Sequence, residues 1–100
     1  MKKRILKTKP VCKVTFELPG EAAAAATSVH LVGDFNDWDI AGTPMKRRKD
    51  GSFSVTIDLD CDREYQYKYL IDSEIWENDW AADRYTPSPV GDGENSVVIV

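Results

Sequence analysis

The stretch EYQYKYLI, residues 64–71, decides the fold of this protein. Tyr65, Tyr67, Tyr69 and Ile71 occupy every second position, and mostly polar residues stand between them. Because successive side chains of a β-strand point to opposite faces, a period of two predicts a strand with one buried and one solvated face. Residues 64–71 are therefore predicted to form a half-buried antiparallel strand.

The same alternation of apolar and polar residues recurs on both sides of this stretch. Further strands, some of them short edge strands, are predicted at residues 12–18, from Val29 onward, and at residues 45–48, 52–59, 75–77 and 95–100. Several short strands joined by turns predict an all-β fold, an immunoglobulin-like (early-set) antiparallel β-sandwich of about seven to eight strands.

Turn-forming residues separate the predicted strands. Pro19-Gly20, Asp50-Gly51 and Gly91-Asp92-Gly93 are the clearest signals. Asp50-Gly51 predicts a hairpin between its flanking strands, and residues 60–63 suggest a second, looser hairpin. Residues 22–26 are all alanine, but a run this short does not hold a helix alone, so a loop or a single turn is expected there.

The length of the chain limits the number of domains, and its charge limits the class of partner. The chain has 100 residues, of which 42% are hydrophobic, so one domain is expected. Five of the 13 basic residues stand in the first ten positions, and all 17 acidic residues follow them. Residues 1–10 are therefore predicted to be a basic, flexible tail and residues 11–100 a single domain. The acidic body repels phosphate backbones, so no nucleic acid partner is expected.

Cysteine usage and the absence of targeting segments favour a cytoplasmic location. Cys12 lies on the inward phase of a predicted strand and Cys61 in a turn, so both are expected to be free thiols. The apolar pair Ile5-Leu6 is far shorter than the ~7–15 apolar residues of a secretory signal. No apolar run approaches the ~20 residues that span a bilayer, so no membrane partner is expected.

Neither a catalytic site, a metal site nor a cofactor is predicted. His30 is the only histidine, and no nucleophile motif or glycine-rich phosphate loop accompanies it. Asp58, Asp60 and Asp62 imitate the first ligands of an EF-hand loop, but Arg63 stands where that loop needs glycine. These acids are expected to be solvated turn residues.

The three tryptophans are the most informative candidates for a binding site. Trp38, Trp76 and Trp80 stand in or beside turn-rich segments, and none lies on the inward phase of a long strand. Such an indole either folds back to cap the core or stays exposed, where two or three together form a platform for a ligand. Lys68 lies on the polar phase of its strand, so it shares a surface with Trp76 if that indole turns outward.

Six short motifs occur in the order of a known domain. They are VGDFNDW at 32–38, Met45, GSF at 51–53, YKYLID at 67–72, WEND at 76–79 and NSVV at 95–98. Together they resemble carbohydrate-binding module family 48, the domain found at the N-terminus of isoamylases and glycogen branching enzymes. The glycogen-binding domain of the AMP-activated protein kinase β subunit belongs to the same family. The resemblance covers residues 11–100 and implies an immunoglobulin-like sandwich.

The resemblance also implies a non-catalytic site for α-1,4-linked glucan, such as glycogen, starch or a maltooligosaccharide. In glycogen-binding members two tryptophans stack on glucose rings, while a lysine and an asparagine hydrogen-bond the hydroxyls. These residues fall on Trp38, Trp76, Lys68 and Asn95 of this sequence. A glycogen-metabolising enzyme is a second partner that the resemblance implies. The alternative is a structural or protein–protein interaction module of the same fold without sugar binding.

The chain departs from the family pattern in three places. The turn at residues 72–75 is one residue longer than usual before Trp76, and Trp80 stands where the family often has proline. In the kinase subunits an apolar residue of the last loop supports the sugar ring, whereas here the loop reads GDGE at 91–94 with only Val90 nearby. The longer turn is expected to affect the orientation of the Trp76 side chain, and the last loop is expected to lack the apolar contact with the sugar ring.

Overall fold

A computed structural model gives the fold and describes residues 1–6, 8, 10–23, 25–88 and 93–100. In these ranges the regular structure consists of β-strands and one 3-10 turn, Asp34–Asn36. The strands are β1 (Lys2–Ile5), β2 (Val11–Leu18), β3 (Val29–Gly33), β4 (Lys46–Arg47), β5 (Phe53–Asp60), β6 (Glu64–Ile71), β7 (Ile75–Glu77), β8 (Arg84–Pro87) and β9 (Glu94–Ile99). Across the same ranges, no helix has the length and apolarity that a membrane crossing requires.

The strands form two antiparallel sheets that pack face to face. The first sheet has the order β1-β2-β5-β4, and the second has the order β3-β6-β9-β8, with β7 paired to the C-terminal half of β6. Val14 pairs with Ile57 in the first sheet and Leu31 with Tyr69 in the second, so each sheet turns one apolar phase towards the other. The predicted all-β, immunoglobulin-like antiparallel sandwich is confirmed, and the short strands bring the number to nine in the described residues.

The core between the sheets consists of the inward phases that the sequence predicted. Phe16 of β2 and Tyr67 of β6 are fully buried, and their rings meet edge to face with 4.9 Å between the centroids. Phe35 of the 3-10 turn packs against the same Phe16 ring at 5.8 Å. Edge-to-face aromatic pairs add to the stability that burial alone provides. Cys12 is buried in this core, and both it and Cys61 are free thiols, as expected.

The predicted hairpins have different outcomes. Asp50-Gly51 joins β4 to β5 as expected, and Gly51 has a φ of 87°, a left-handed conformation that glycine adopts without strain. The hairpin expected at residues 60–63 is wrong, because β5 belongs to the first sheet and β6 to the second. This turn carries the chain between the sheets, and its sequence does not distinguish a crossing from a hairpin.

The N-terminus also differs from the flexible tail that its charge predicted. Lys2–Ile5 form β1, which pairs with β2 along its whole length. Ile5 is 71% exposed, so backbone hydrogen bonds rather than apolar burial hold this strand. Lys3 adds an ion pair with Asp83, with 2.5 Å between Nζ and Oδ2, and thereby links the first sheet to the second.

Some of the sequence predictions fall on residues outside the described ranges. They are Lys7 and Lys9 of the expected tail, Ala24 of the alanine run, and Val90, Gly91 and Asp92 of the last loop. The described part of the alanine run forms turns, as expected, with the amides of Ala22 and Ala23 bonded to the carbonyl of Pro19.

A buried carboxylate joins the core to the segment that follows β7. Asp79 is 3% exposed, and its Oδ2 accepts hydrogen bonds from the hydroxyls of Tyr67 at 2.6 Å and Tyr69 at 3.2 Å. Its backbone N–H donates to the hydroxyl of Ser96 in β9. Burial, with the Asp79 charge as the next cause, raises the pKa of both tyrosines far above the ordinary value. Both hydroxyls therefore stay protonated donors, and β6, β9 and the segment after β7 share one network.

A second carboxylate fixes the loop before β3 to the turn after β6. Asp72 Oδ1 accepts from the backbone N–H of Thr27 and of Ser28, and from the Thr27 hydroxyl, at 2.8–2.9 Å. The hydrogen bonds from Ser28 and then Thr27 hold the pKa of Asp72 below its ordinary value. The ionised form of Asp72 is thus the form that the fold prefers.

The tyrosine–aspartate network predicts a graded loss of stability. Tyr67→Phe removes one hydrogen bond and should lower the free energy of unfolding by about 1–2 kcal/mol. Asp79→Ala leaves the Tyr67 hydroxyl without an acceptor and the Tyr69 hydroxyl with only the Glu17 carbonyl at 3.3 Å, and should cost about 3 kcal/mol. Urea unfolding followed by tryptophan fluorescence measures both changes. Asp58→Ala, which removes only the exposed ion pair with Lys13, is the control and should cost under about 0.5 kcal/mol. An Asp79→Ala variant as stable as this control contradicts the network.

The lowered pKa of Asp72 predicts how stability responds to acid. Because the folded-state pKa lies below the unfolded value, the contribution of Asp72 is complete above about pH 4 and is lost as the pH falls through the folded-state pKa. Asp72→Asn should lower the urea midpoint at pH 7 and reduce its fall between about pH 4 and 2. An acid slope of the midpoint identical to that of the parent contradicts this role.

Candidate functional site

One face of β6 is turned away from the core and forms the centre of the outer face of the second sheet. Gln66, Lys68 and Leu70 point to this outer face, because they alternate with the buried tyrosines of the same strand. In the antiparallel pairing, residues directly opposite each other share a face. Trp76 of β7 is paired with Leu70, so Trp76 and Lys68 lie on one surface, as the sequence suggested for an outward-turned Trp76.

The outer face is more apolar and more covered than the solvated face of an ordinary sandwich. Val32, Leu70 and Val97 point away from the core and are nevertheless at most 2% exposed. Lys68 is half-buried among them, since Val32 is its partner across β3. A lysine held in this way presents its ammonium group at a defined place on the surface.

Trp76 is the exposed aromatic of this face. Its side chain is 45% exposed, and β7 is bonded to β6 alone among the described strands. The hairpin before it contains Asp72 and Ser73, both in the left-handed region with φ of 51° and 58°. This three-residue connection pairs Ile71 with Ile75, and so leaves Trp76 on the outer face despite the longer turn.

Trp38 lies beside the N-terminal half of β6, and a carboxylate holds its indole there. Its indole N–H donates to Asp34 Oδ1 at 2.8 Å, while Asp34 Oδ2 accepts from the backbone N–H of Gln66 at 2.7 Å. Trp38 is half-buried and its φ is 56°, in the left-handed region. The tight entry to this loop requires Gly33, because a Cβ there would lie 2.5 Å from the carbonyl oxygen of Gln66.

The separation of the two indoles follows from the register. Trp76 is level with Leu70, whereas the anchor of Trp38 is level with Gln66, four residues and about 13 Å back along β6. The two lie on opposite sides of β6, since β7 and β3 flank it. Lys68 stands between these two levels, so the three residues form a diagonal row across the sheet.

Asn95 shares the outer face but lies below its surface. It is 5% exposed, and its Nδ2 donates to Oε1 of Gln66 at 3.0 Å. The structure thus brings Asn95 to the same face as Lys68, but buries it and hydrogen-bonds it to the more exposed Gln66. The sequence put Gln66 on this face without giving it a role, and only the burial of Asn95 reveals the pairing.

Trp80 lies apart from the diagonal row, and the described residues around His30 do not form a catalytic or metal site. Trp80 is 55% exposed and donates its indole N–H to Glu77 Oε1, so it lies on the other side of β7 from Trp76. His30 is paired with Leu70 on the outer face, and its buried Nδ1 has no hydrogen-bond partner within the described residues. Among the same residues, no group of three or more His, Cys, Asp and Glu side chains is placed to hold a metal ion.

The arrangement suits a ligand that has both an apolar face and a polar rim. An indole offers a flat apolar surface, whereas Lys68 and the Gln66–Asn95 pair offer hydrogen-bonding groups beside it. The row extends further than one ring, so an elongated ligand gains more contacts than a compact one.

Comparison with known proteins gives two findings. Residues 21–86 match the family described as carbohydrate-binding module 48, the isoamylase N-terminal domain. This match includes Trp38, Lys68 and Trp76, but ends before Asn95. A stretch of 58 residues is 43% identical to the 1,4-alpha-glucan branching enzyme GlgB of Aquifex aeolicus (strain VF5). That stretch is 57% of this chain and 9% of the branching enzyme, so the similarity concerns a small part of that protein.

The anchoring of Trp38 by Asp34 yields a prediction about its side chain. Asp34→Ala removes the acceptor of the indole N–H, and a hydrogen bond to a charged group contributes about 1.5–3 kcal/mol. Hydrogen exchange of the Trp38 indole N–H, followed by NMR, should accelerate at least about tenfold. The Trp80 indole, whose acceptor Glu77 is unchanged, is an internal control. Equal exchange of Trp38 in parent and variant contradicts the anchor.

Proposed function

Since the chain belongs to the carbohydrate-binding module 48 family, we propose that it binds α-1,4-linked glucan on the outer face of its second sheet. The family is a family of carbohydrate-binding modules, and the relative at 43% identity is named for its action on 1,4-alpha-glucan. Glycogen, starch and maltooligosaccharides are the ligands of this class. The observation that carries the proposal is an exposed Trp76 on the same face as Lys68.

Trp76 supplies the apolar contact in this proposal. A pyranose ring has a face of C–H groups that packs against an indole by dispersion and burial. One stacked ring buries roughly 100 Å², which stabilises the complex by about 2–3 kcal/mol before the costs of binding. Because Trp76 stands on a short paired strand, its backbone loses little freedom when the sugar arrives.

Trp38 supplies a second stacking position at the other end of the row. The bond to Asp34 uses the indole N–H, so the ring face rather than its polar edge is the part left for a sugar. The two indoles are separated by more than one sugar ring, so a chain of several glucose units is needed to reach both.

Lys68 and the Gln66–Asn95 pair supply the hydrogen bonds. The Lys68 ammonium has three donors, which match hydroxyl oxygens on the rim of a glucose ring. Asn95 is buried, so we propose that it acts together with Gln66, whose amide it holds at the surface. The amides select the sugar more than they tighten the complex, because a hydrogen bond between neutral groups contributes about 0.5–1.5 kcal/mol, whereas a bond from the charged Lys68 contributes about 1.5–3 kcal/mol.

The proposed site should bind a single glucan chain weakly and a branched polymer with a higher apparent affinity. Two stacked rings give about 5 kcal/mol, and several kcal/mol are lost in fixing a flexible glucan, so dissociation constants of roughly 10 μM to 1 mM are expected. A branched polymer offers many copies of the ligand and raises the apparent affinity.

The wider role that follows is recruitment rather than catalysis. We propose that this module holds glucan for a glycogen-metabolising enzyme in the cytoplasm, in line with the two free thiols. The support is the family, which is one of binding modules, together with the branching enzyme that shares part of its sequence.

Removal of either indole tests the proposed function. Trp76→Ala and Trp38→Ala should each weaken retention on a glycogen affinity gel by at least about tenfold, because each removes one stacked ring. Ile5→Ala, an exposed apolar residue of the first sheet, is the matched control and should migrate as the parent does. Circular dichroism checks that the fold is intact. Folded variants that are retained like the parent exclude stacking on this face.

A further inference from the structure

A second exposed indole lies on the back of β7, opposite the face that carries Trp76. Trp80 is 55% exposed, the largest exposed fraction of any tryptophan in the chain, and neighbouring Ile75 is 56% exposed. Glu77 holds the indole N–H, and Glu77 and Trp76 are consecutive residues of a strand, so they point to opposite faces. The back of β7 is thus a separate surface, made by Ile75, Glu77 and Trp80.

Trp80 is held more firmly than a solvent-exposed side chain needs to be. On one side of it, Asp79 is bonded through its carboxylate to two core tyrosines and through its N–H to Ser96. On the other side, the N–H of Ala81 donates to Asp79 Oδ1. The Trp80 ring is therefore presented on a fixed turn, with its edge tied to Glu77, and its ring face needs little ordering to bind.

We infer that Trp80 and Glu77 form a second sugar subsite, which takes a distal part of the same glucan chain that lies on Trp76; this inference rests on the proposed function. The indole face packs against the C–H face of a pyranose ring. The Glu77 carboxylate has about four acceptor positions and uses one for Trp80, so it accepts hydrogen bonds from ring hydroxyls with the others.

The path between the two subsites runs over the edge of β7. This strand is paired with β6 on one side, and no described strand pairs with its other side. A glucan that leaves the Trp76 face over this edge therefore meets Trp80, four residues further along the chain, without crossing another strand.

The size of the exposed patch favours a sugar over a protein partner. A stable protein interface buries about 800 Å² and about 20–30 residues on each side. Among the residues that the structure describes, Ile75 and Trp80 are the exposed apolar side chains that we place on the back of β7, an area suited to one or two sugar rings.

An NMR titration tests this subsite with ligands of two lengths. We follow the three indole N–H signals while maltotriose or maltoheptaose is added to the intact chain. Maltotriose should shift the Trp76 signal and leave Trp80 unchanged, whereas maltoheptaose should shift both. Trp80→Ala should weaken maltoheptaose binding about fivefold and leave maltotriose binding at the parental value.

Two further variants separate stacking from folding. Trp80→Phe keeps an aromatic face and should retain most of the maltoheptaose affinity. Glu77→Gln keeps the shape of the side chain but removes its charge, and should weaken maltoheptaose binding about two- to threefold. Circular dichroism and the urea midpoint verify that each variant is folded.

The outcomes distinguish this inference from the proposed function. If the Trp76 signal responds and Trp80→Ala binds both ligands like the parent, the second subsite is overturned and the site on the outer face stands. If no indole signal responds to either ligand, both are overturned. If Trp80→Ala abolishes binding of a protein partner but leaves glucan affinity unchanged at both lengths, the patch is a protein interface and the sugar assignment is overturned.

Discussion

The hydrogen bonds from Tyr67 and Tyr69 to the buried Asp79 are the constraint on which the rest of the second sheet depends. They connect β6, which carries Lys68, to the segment that follows β7. Through Ser96 they also reach β9, which carries Asn95. A buried carboxylate without these donors would be strongly unfavourable, so the loss of either donor weakens the attachment of this segment to β6. The anchor fixes the turn that carries Trp80, whereas the pairing of β7 with β6 places Trp76.

Much of the fold could be predicted from the sequence, because a strand that buries one face alternates apolar and polar residues with a period of two. Tyr67 and Tyr69 are inward and Lys68 is outward, as the alternation predicted, and the match to residues 21–86 supports the same family. The Asp79 anchor was missed, because an aspartate after a turn resembles a solvated residue until its partners, 10 and 12 residues earlier, are brought to it. The sheet crossing at residues 60–63 was missed for a related reason: turn chemistry is local, whereas the choice of partner strand is not.

The candidate site was predictable in residue type but not in depth. Lys68 lies on the outer face, as its strand phase predicted, whereas the outward direction of Trp76 follows from the register of β7 against β6, which the sequence left open. Asn95 lies on that face as well, but it is buried and its amide is hydrogen-bonded to Gln66. Depth depends on how neighbouring side chains fill the surface, and a single sequence does not encode this in any short pattern. The role of each residue towards a glucan stays a prediction until ligand is added.

The two hydrogen bonds that the Asp83 carboxylate accepts have a consequence for how this domain can be joined to other chains. This carboxylate accepts from Lys3 of β1 and from the backbone N–H of Ile99, so both ends of the described fold meet there. Val100 is bonded to Arg63, beside the start of β6, about 20 Å along that strand from the level of Trp76. A short linker can therefore close the ends, and circular permutation should keep the sheets intact. Cargo fused at either terminus would emerge near the start of β6 and leave Trp76, at the other end of that strand, accessible.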